Sequence, residues 1–329
     1  MKIGARELLM AWGRLLRGGS PLLSIEVTRQ CPLHCRGCYA HVEGHAGSSG
    51  AVAELHGEAL VARVLALVAR HRPQHVSIVG GEPLLRRREL DALLPRLAAL
   101  GVPTMVVTSG VLPIPMEWDS LGRLVVTVSV DGLAPDHARR RAPATYERIL
   151  RNIEGRRVSL HWTVVHGMLS RAYFEEYLAF WSARPEVQHL LVSAYTPQRG
   201  ERTPEMLTPE DRLTLASLLP ALKVRYPKLL TSNEIARAYL HPPRDPAHCL
   251  FARVSRAYAP DLATEVVPCL IGGNPDCTQC GCAVPAALHG IAATRIKGPL
   301  RVGHLIATTT SIAAAVNRVG PSRRLRGAA

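Results

Sequence analysis

The stretch Leu22-Leu23-Ser24-Ile25-Glu26-Val27-Thr28, followed shortly by Cys31-Pro32-Leu33-His34-Cys35-Arg36-Gly37-Cys38, decides how this 329-residue chain is read. The first part is a β-rich run bounded by polar residues, the pattern of a short buried strand. The second places three thiols within one turn-prone loop, so all three side chains can turn toward one metal centre. Thiolate softness favours zinc or an iron–sulfur cluster. A structural site of either kind is normally closed by four ligands. Three without a nearby fourth imply an open position where a substrate or cofactor binds. Spacing alone leaves both zinc and iron–sulfur standing.

Working outward, the same alternation recurs. Strand-like runs lie at His75–Val79, Thr104–Thr108, Leu124–Val130, Ser159–Val165 and His189–Tyr195. Helical patterns lie between and after them at Gly57–His71, Arg87–Leu100, Tyr146–Arg157 and Ala172–Ala183. Six strands with helix-length crossovers predict a parallel α/β sheet or partial barrel. In such folds chemistry gathers at the carboxyl ends of the strands. The second run ends in Gly80-Gly81-Glu82-Pro83, where two glycines let a backbone come close to a ligand. Taken alone, that tetrapeptide is also an ordinary turn.

Taken together, the CxxxCxxC loop after the first strand and the GGEP turn after the second resemble the radical S-adenosylmethionine (SAM) superfamily, over roughly residues 22–200. The resemblance implies an α/β fold, a (β/α)6 partial barrel, with Cys31, Cys35 and Cys38 holding three irons of a [4Fe–4S] cluster. SAM would chelate the fourth iron, with Gly80, Gly81 and Glu82 lining its methionine moiety. Val128-Ser129-Val130-Asp131-Gly132 is similar to the family's fourth-strand end, which puts Ser129 and Asp131 beside SAM. His137 to Arg141, then Tyr146-Glu147-Arg148, resembles an HDxxRG…FE stretch, and Arg141 matches a position that meets the SAM carboxylate; a solvated arginine is the other reading. Thr108-Ser109-Gly110 resembles the third strand's TNG. One departure stands out: Gly37 occupies a place that is usually aromatic and packs near adenine, and the nearest substitute in sequence is Tyr39. The implied reaction is one-electron reductive cleavage of SAM to a 5′-deoxyadenosyl radical, which abstracts hydrogen from a substrate. A flavodoxin or ferredoxin is the implied electron donor.

Five further cysteines follow: Cys249, Cys269, and the dense group Asp276-Cys277-Thr278-Gln279-Cys280-Gly281-Cys282. Arg253–Tyr258 and Thr264–Val267 flank Ala259-Pro260-Asp261 as a β-hairpin, which would bring Cys249 and Cys269 to one end. This plan is similar to the SPASM and Twitch extensions of radical SAM enzymes, implying a small C-terminal cysteine-rich domain with an auxiliary [4Fe–4S] cluster. Five thiols cannot fill two four-thiolate sites, so one auxiliary cluster is expected. Cys277, Cys280, Cys269 and Cys249 are the first four ligands to consider. Cys282 is then a spare, as an acid or hydrogen donor, or itself a ligand with another cysteine spare. A zinc ribbon is the alternative.

Composition sets the bounds. At 47% apolar and 20% charged, the chain can bury a core. Its charge of 40 − 26 = +14 suits an anionic partner, yet the basic residues are scattered and aromatics are 5%, so nucleic acid is not expected. Residues 1–21 read as a basic amphipathic helix around Leu8, Leu9, Trp12, Leu15 and Leu16, packing on the domain behind it or touching a membrane surface. The uncharged run Val302–Asn317 is too short to span a bilayer, and no signal peptide is visible. Reduced thiols and a cytoplasmic setting follow. The expected division is 1–21, a barrel over 22–200, a helical connector over 201–248, and the cluster domain with an Ala-rich tail over 249–329. The substrate is open between a peptide and a lipid or isoprenoid. Rival classes are a zinc-stabilised binding protein and a non-catalytic iron–sulfur electron-transfer protein.

Overall fold

The computed structural model describes residue 13, residues 20–41, 52–293, 295–297 and 300–301. The expected N-terminal amphipathic helix and the Ala-rich tail lie almost wholly outside these residues. Strands and helices alternate as β1 (Leu22–Glu26), α1 (Gly57–His71), β2 (His75–Val79), α2 (Arg87–Ala99), β3 (Thr104–Thr108), β4 (Leu124–Ser129), α3 (Ala134–Arg140), α4 (Tyr146–Ile153), β5 (Val158–Val164), α5 (Arg171–Ser182) and β6 (Val187–Ala194). The second half adds α6 (Pro209–Arg225), α7 (Asn233–Ala238), α8 (Leu250–Val254), β7 (Ser255–Tyr258), α9 (Ala283–Ala293) and a small antiparallel pair, β8 (Arg295–Lys297) with β9 (Leu300–Arg301). The main sheet runs β6-β5-β4-β3-β2-β1-β7, and every pairing in it is parallel. It is a partial barrel of the α/β class.

The two faces of the sheet differ because the side-chain period of a strand is two. One face carries Leu23, Ile25, Val76, Ile78, Val106, Val126, Val128, Leu160 and Trp162, all in the main apolar core. Helices cover that face. On α1 the buried set Leu60, Val61, Val64, Leu67 and Val68 follows helical spacing, and the helix stops where Arg72 turns left-handed at φ 47°. The few aromatics are concentrated here: the Trp162 ring lies 4.1 Å from Tyr177 and 4.6 Å from Phe174, centroid to centroid. The opposite face is mixed: it carries hydroxyl and imidazole side chains together with Val79, Met105, Val107 and Leu191. In-register partners share a face, and there the pairs are Ser24 with Ser77, Thr127 with Ser159, Ser129 with His161, and Thr163 with Ser193.

The seventh strand is a departure from the six-strand reading. Arg253 and Val254, expected to start a hairpin strand, instead end α8; β7 begins at Ser255 and pairs with β1 from Leu22 to Ile25. The other edge of β7 does meet residues 264–266, through Ala259 N–H to Thr264 O at 2.9 Å and Val266 N–H to Ala257 O at 2.8 Å. Likewise α4 ends at Ile153 rather than near Arg157, because Gly155 takes φ 66°. At the start of α6, Thr208 and Asp211 form a capping box with Pro209 in the first turn. Among the described residues no helix is long and apolar enough to cross a membrane.

Three buried or half-buried histidines couple the fold to pH. His71 Nε2 lies 2.9 Å from Tyr258 Oη, joining α1 to β7. Burial, and then Arg70 and Arg256, push its pKa from 6.5 down to about 4. Burial pushes His137 and His161 down to about 4 as well, aided by Arg141. All three are neutral in the fold, so the unfolded chain binds more protons between 6.5 and 4. Stability is therefore expected to hold above pH 6.5 and to fall as pH drops toward 4. Urea midpoints across this window check it: they should decline, and decline less steeply in His71→Leu, whereas a flat profile would contradict the assignment.

Candidate functional site

The first cysteine loop leaves β1 under tight backbone control. Thr28 Oγ1 donates to Glu54 Oε2 at 2.8 Å, and Arg29 N–H donates to Glu54 Oε1 at 2.7 Å. Arg86 closes an ion pair with the same carboxylate. Sequence reasoning missed Glu54, which carries no motif. Within the loop, Leu33 is buried with Val111 and Ala144, and Cys31 and Cys35 pack against this small cluster. His34 N–H donates to Ala142 O and Arg36 N–H to Arg140 O, both at 2.9 Å, so the loop hangs from the residues that follow α3. Cys31, Cys35 and Cys38 thus share one loop within electrostatic reach of each other and of Arg141. Burial pushes Cys35 up to about 11 against the pull of Arg141. A metal cation is the natural counter-charge that would ionise such thiols.

The GGEP turn sits against this loop. Gly81 N–H donates to Thr28 O at 2.7 Å and Glu82 N–H to Gln30 O at 2.8 Å. A Cβ on Gly80 would lie 2.3 Å from Thr28 O, and one on Gly81 would lie 2.3 Å from Gln30 O. The close approach that needs glycine here is to the cysteine loop's own backbone. Glu82 is fully buried and points into the end of β3. Its carboxylate accepts from Thr108 Oγ1 at 2.7 Å, Ser109 N–H at 2.8 Å, Leu84 N–H at 3.0 Å and the Ser109 hydroxyl. Arg148 and Asn152 of α4 then hold Val111 O and Gly110 O, both at 2.8 Å, which fixes the Thr108-Ser109-Gly110 turn.

Asp131, just past β4, is the densest charged contact. Its Oδ2 accepts from Arg141 Nε at 2.9 Å with Arg140 Nε at 3.8 Å, and its Oδ1 accepts from Thr163 N–H at 2.8 Å. Burial alone would raise this carboxyl; Arg141 and then Arg140 hold it below its ordinary value. Asp131 N–H donates to His137 Nδ1 at 3.1 Å, so that nitrogen is unprotonated. Arg140 also pairs with Glu205 on the loop after β6. The structure therefore brings Arg141, Asp131, Ser129 and the first cysteine loop together at the carboxyl end of the sheet. Arg141 is no solvated arginine: it is only 17% exposed and acts as Asp131's partner.

The remaining five cysteines meet at a second place. Cys249, Cys269, Cys277, Cys280 and Cys282 all line one pocket, partly open to solvent and otherwise walled mainly by proline and aliphatic side chains. Among the described residues no group of three or more His, Cys, Asp or Glu converges as a site for a single metal ion. The softness of the thiols, with the apolar wall, suits a thiophilic metal group rather than a hard cation. Burial pushes Cys269 up to about 12 and Cys277 up to about 11. Arg212, on α6, was not singled out in the sequence, yet it holds the cysteine turn. Its guanidinium donates to Tyr239 O at 3.0 Å, Gln279 O at 2.6 Å and Cys280 O at 3.3 Å. The turn also docks on β6: Ala194 N–H to Gly281 O at 2.8 Å, Gly281 N–H to Thr196 Oγ1 at 2.9 Å, and Ala283 N–H to Ser193 Oγ at 3.0 Å.

Residues 25–180 match the Radical SAM superfamily. The 7-carboxy-7-deazaguanine synthase of Hyperthermus butylicus is 29% identical over 163 residues, which are 48% of this chain and 63% of that protein; the chain spans under two thirds of this relative's length. Streptococcus suis SuiB bound to S-adenosylmethionine has a TM-score of 0.58 at 13% identity, covering 94% of this chain and 73% of SuiB. SuiB bound to its precursor peptide SuiA gives 0.60 at 14% identity, over 94% and 74%. The anSMEcpe structure with bound AdoMet gives 0.54 at 16% identity, over 76% and 75%. At these identities the structural likeness is one of fold.

The glycine contacts yield a direct test. Gly81→Ala must push back the Gln30 and Arg29 carbonyls, 2.3 and 2.5 Å from the new Cβ. Overpacking of this kind costs about 1–3 kcal/mol. Gly122→Ala, with nothing within 4 Å of its Cβ, is the control and should be near neutral. Urea unfolding of both variants measures the difference, and equal stabilities would refute the steric role.

Proposed function

Because residues 25–180 form a radical SAM domain, we propose that the chain is an enzyme that cleaves SAM reductively and uses the resulting radical on a polar substrate. The observation that carries this is the meeting of the CxxxCxxC loop, the GGEP turn and the Asp131–Arg141 pair at one end of the sheet. When bound, the cluster and SAM supply homolysis of the sulfur–C5′ bond by one electron, leaving methionine and a 5′-deoxyadenosyl radical that takes hydrogen from the substrate. In this reading Cys31, Cys35 and Cys38 hold a [4Fe–4S] cluster. Gly80 and Gly81 line the methionine end of SAM with Ser129, and Arg141 meets its carboxylate while Asp131 aims the guanidinium. Glu82, engaged by four protein donors, shapes the wall from behind.

The second site holds an auxiliary [4Fe–4S] cluster through Cys249, Cys269, Cys277 and Cys280. Cys282 remains as a candidate hydrogen donor to a substrate radical: its S–H bond would break as a C–H bond forms, and the resulting thiyl radical would return to the thiol by taking one electron from the external donor and one proton from solvent. That donor is a flavodoxin or ferredoxin, and the setting is the cytoplasm. For the substrate, the hydroxyls of Ser24, Ser77, Thr127, Ser159, Thr163 and Ser193, set on one face among Met105, Val107 and Leu191, favour a molecule that offers hydrogen-bonding groups as well as apolar surface over a plain lipid or isoprenoid. A peptide fits this, and one fold neighbour was crystallised with its precursor peptide.

Anaerobic purification tests the reading. About eight irons per chain are expected, with SAM converted to 5′-deoxyadenosine under reductant. Replacing Cys31, Cys35 and Cys38 together by Ala should remove about four of those irons and all cleavage. Stoichiometric zinc with no SAM cleavage would overturn it. Deuterium carried into 5′-deoxyadenosine from a labelled peptide pool, and not from a labelled lipid pool, checks the substrate class.

A further inference from the structure

The end of β6 touches both cysteine sites. Gly37, next to Cys38, takes φ 64°, and a Cβ on it would lie 2.6 Å from Tyr195 Oη and 2.8 Å from Tyr195 Cε2. The phenol ring therefore occupies the side of the loop that any larger residue at 37 would need. Tyr195 is 6% exposed and fixed at two points, its amide and its hydroxyl. Its N–H donates to Val164 O at 2.9 Å, its hydroxyl donates to Glu201 Oε1 at 2.7 Å, and Glu201 Oε2 accepts from Gln198 N–H at 2.8 Å. Immediately around it, Ser193, Ala194 and Thr196 are clamped by residues 281–283 of the second site. Gln198 and Arg199 add contacts to Asn274, at 2.7 and 2.8 Å.

We propose that Tyr195 is a positioning residue for the first cysteine loop, and that through it the second cysteine segment sets where Cys38 stands. The Tyr195 ring reaches Gly37 in space from the end of β6, while Tyr39, half-buried, follows Cys38 in the chain. A residue clamped on both sides cannot move without moving its partners, because packed interiors have discrete rather than continuous arrangements. Gly281 is the matching contact at the other site: a Cβ there would lie 2.3 Å from Ala194 O. Displacing Gly281 thus displaces the strand end that carries Tyr195, although Gly281 touches no part of the first loop in the contacts described.

This inference rests on the reading of the first loop as a SAM-binding cluster site, and two measurements separate their failures. In the anaerobically purified full chain, SAM affinity is read from the change in the reduced cluster's electron paramagnetic resonance spectrum on titration. Loss of a group that orients a metal ligand typically costs 10- to 100-fold, so Tyr195→Ala should weaken SAM binding by about tenfold or more while Tyr195→Phe stays close to wild type. Gly281→Ala should shift the same spectrum from the other site. In the metal-free full chain, iodoacetamide should label Cys38 faster in Tyr195→Ala and Gly281→Ala than in wild type, with Tyr195→Phe again near wild type. Unchanged Cys38 labelling and unchanged spectra in both variants would overturn the inference. A wild-type spectrum that ignores SAM, with Cys38 labelling still altered by Tyr195→Ala, would overturn the SAM reading and leave the positioning contact intact. Should Tyr195→Ala unfold, labelling every cysteine alike, Gly281→Ala, which leaves the Tyr195 side chain unchanged, carries the test: Cys38 labelling unchanged from wild type in that variant would refute the role of the clamp.

Discussion

A single buried carboxylate organises the carboxyl end of the sheet. Asp131 receives Arg141, Arg140 and the Thr163 amide, so that β4, β5 and α3 are joined at one point. The two arginines it fixes are next to the carbonyls from which the first cysteine loop hangs, those of Arg140 and Ala142. Through Glu205, Arg140 extends the same network to the loop after β6. Ion pairs this deep stabilise little in net terms, because desolvation offsets the attraction. Removing one partner is nonetheless severe, about 3–5 kcal/mol, since the other charge is then stranded. The network's contribution is therefore placement: it decides where the loop and Arg141 stand relative to one another.

Positive charge has two different uses in this chain. Much of the +14 is spread over the surface, but Arg140, Arg141 and Arg212 are turned inward. Arg141 lies within the electrostatic reach of Cys35 and Cys38, and Arg212 within that of Cys280. Each cysteine set thus has a guanidinium nearby, which lowers the cost of gathering thiolates in a dry place. Arg212 does this while also supplying hydrogen bonds to three main-chain carbonyls, so it stabilises both the shape and the charge of the second site.

Strand periodicity and cysteine spacing made the fold class and both cysteine sets legible in the sequence; β2, β3 and α1 fall where their patterns place them. What could not be read shares one property: it depends on residues distant in sequence. Tyr195 over Gly37, Arg212 beneath Cys280 and Glu54 beneath Thr28 belong to no local pattern. β7 is too short, at four residues, to announce a parallel partner, and its neighbour is set by which edge of β1 is open. Glu82 illustrates the limit of motif reasoning. Its place in the turn marks the site, but its donors, the Leu84 amide beside it and the Thr108 and Ser109 groups at the end of β3, are seen only in the folded chain. The hydroxyl pairs across the concave face were present in the strands all along; only the pairing register shows that they line up.

The parallel pairing of β7 with β1 also fixes an order of assembly. Ser20 Oγ donates to Val254 O at 2.7 Å, across 234 residues of chain. During synthesis the first strand, with its cysteine loop, therefore has one edge without a hydrogen-bonding neighbour until the chain has grown to β7. An open edge is a template for wrong pairing, and long-range closure is slow. By the time that edge closes, Cys249 has been made and Cys269 to Cys282 follow within a few dozen residues. The two cysteine segments, far apart in sequence, are thus tied into one sheet only after β7 has been made.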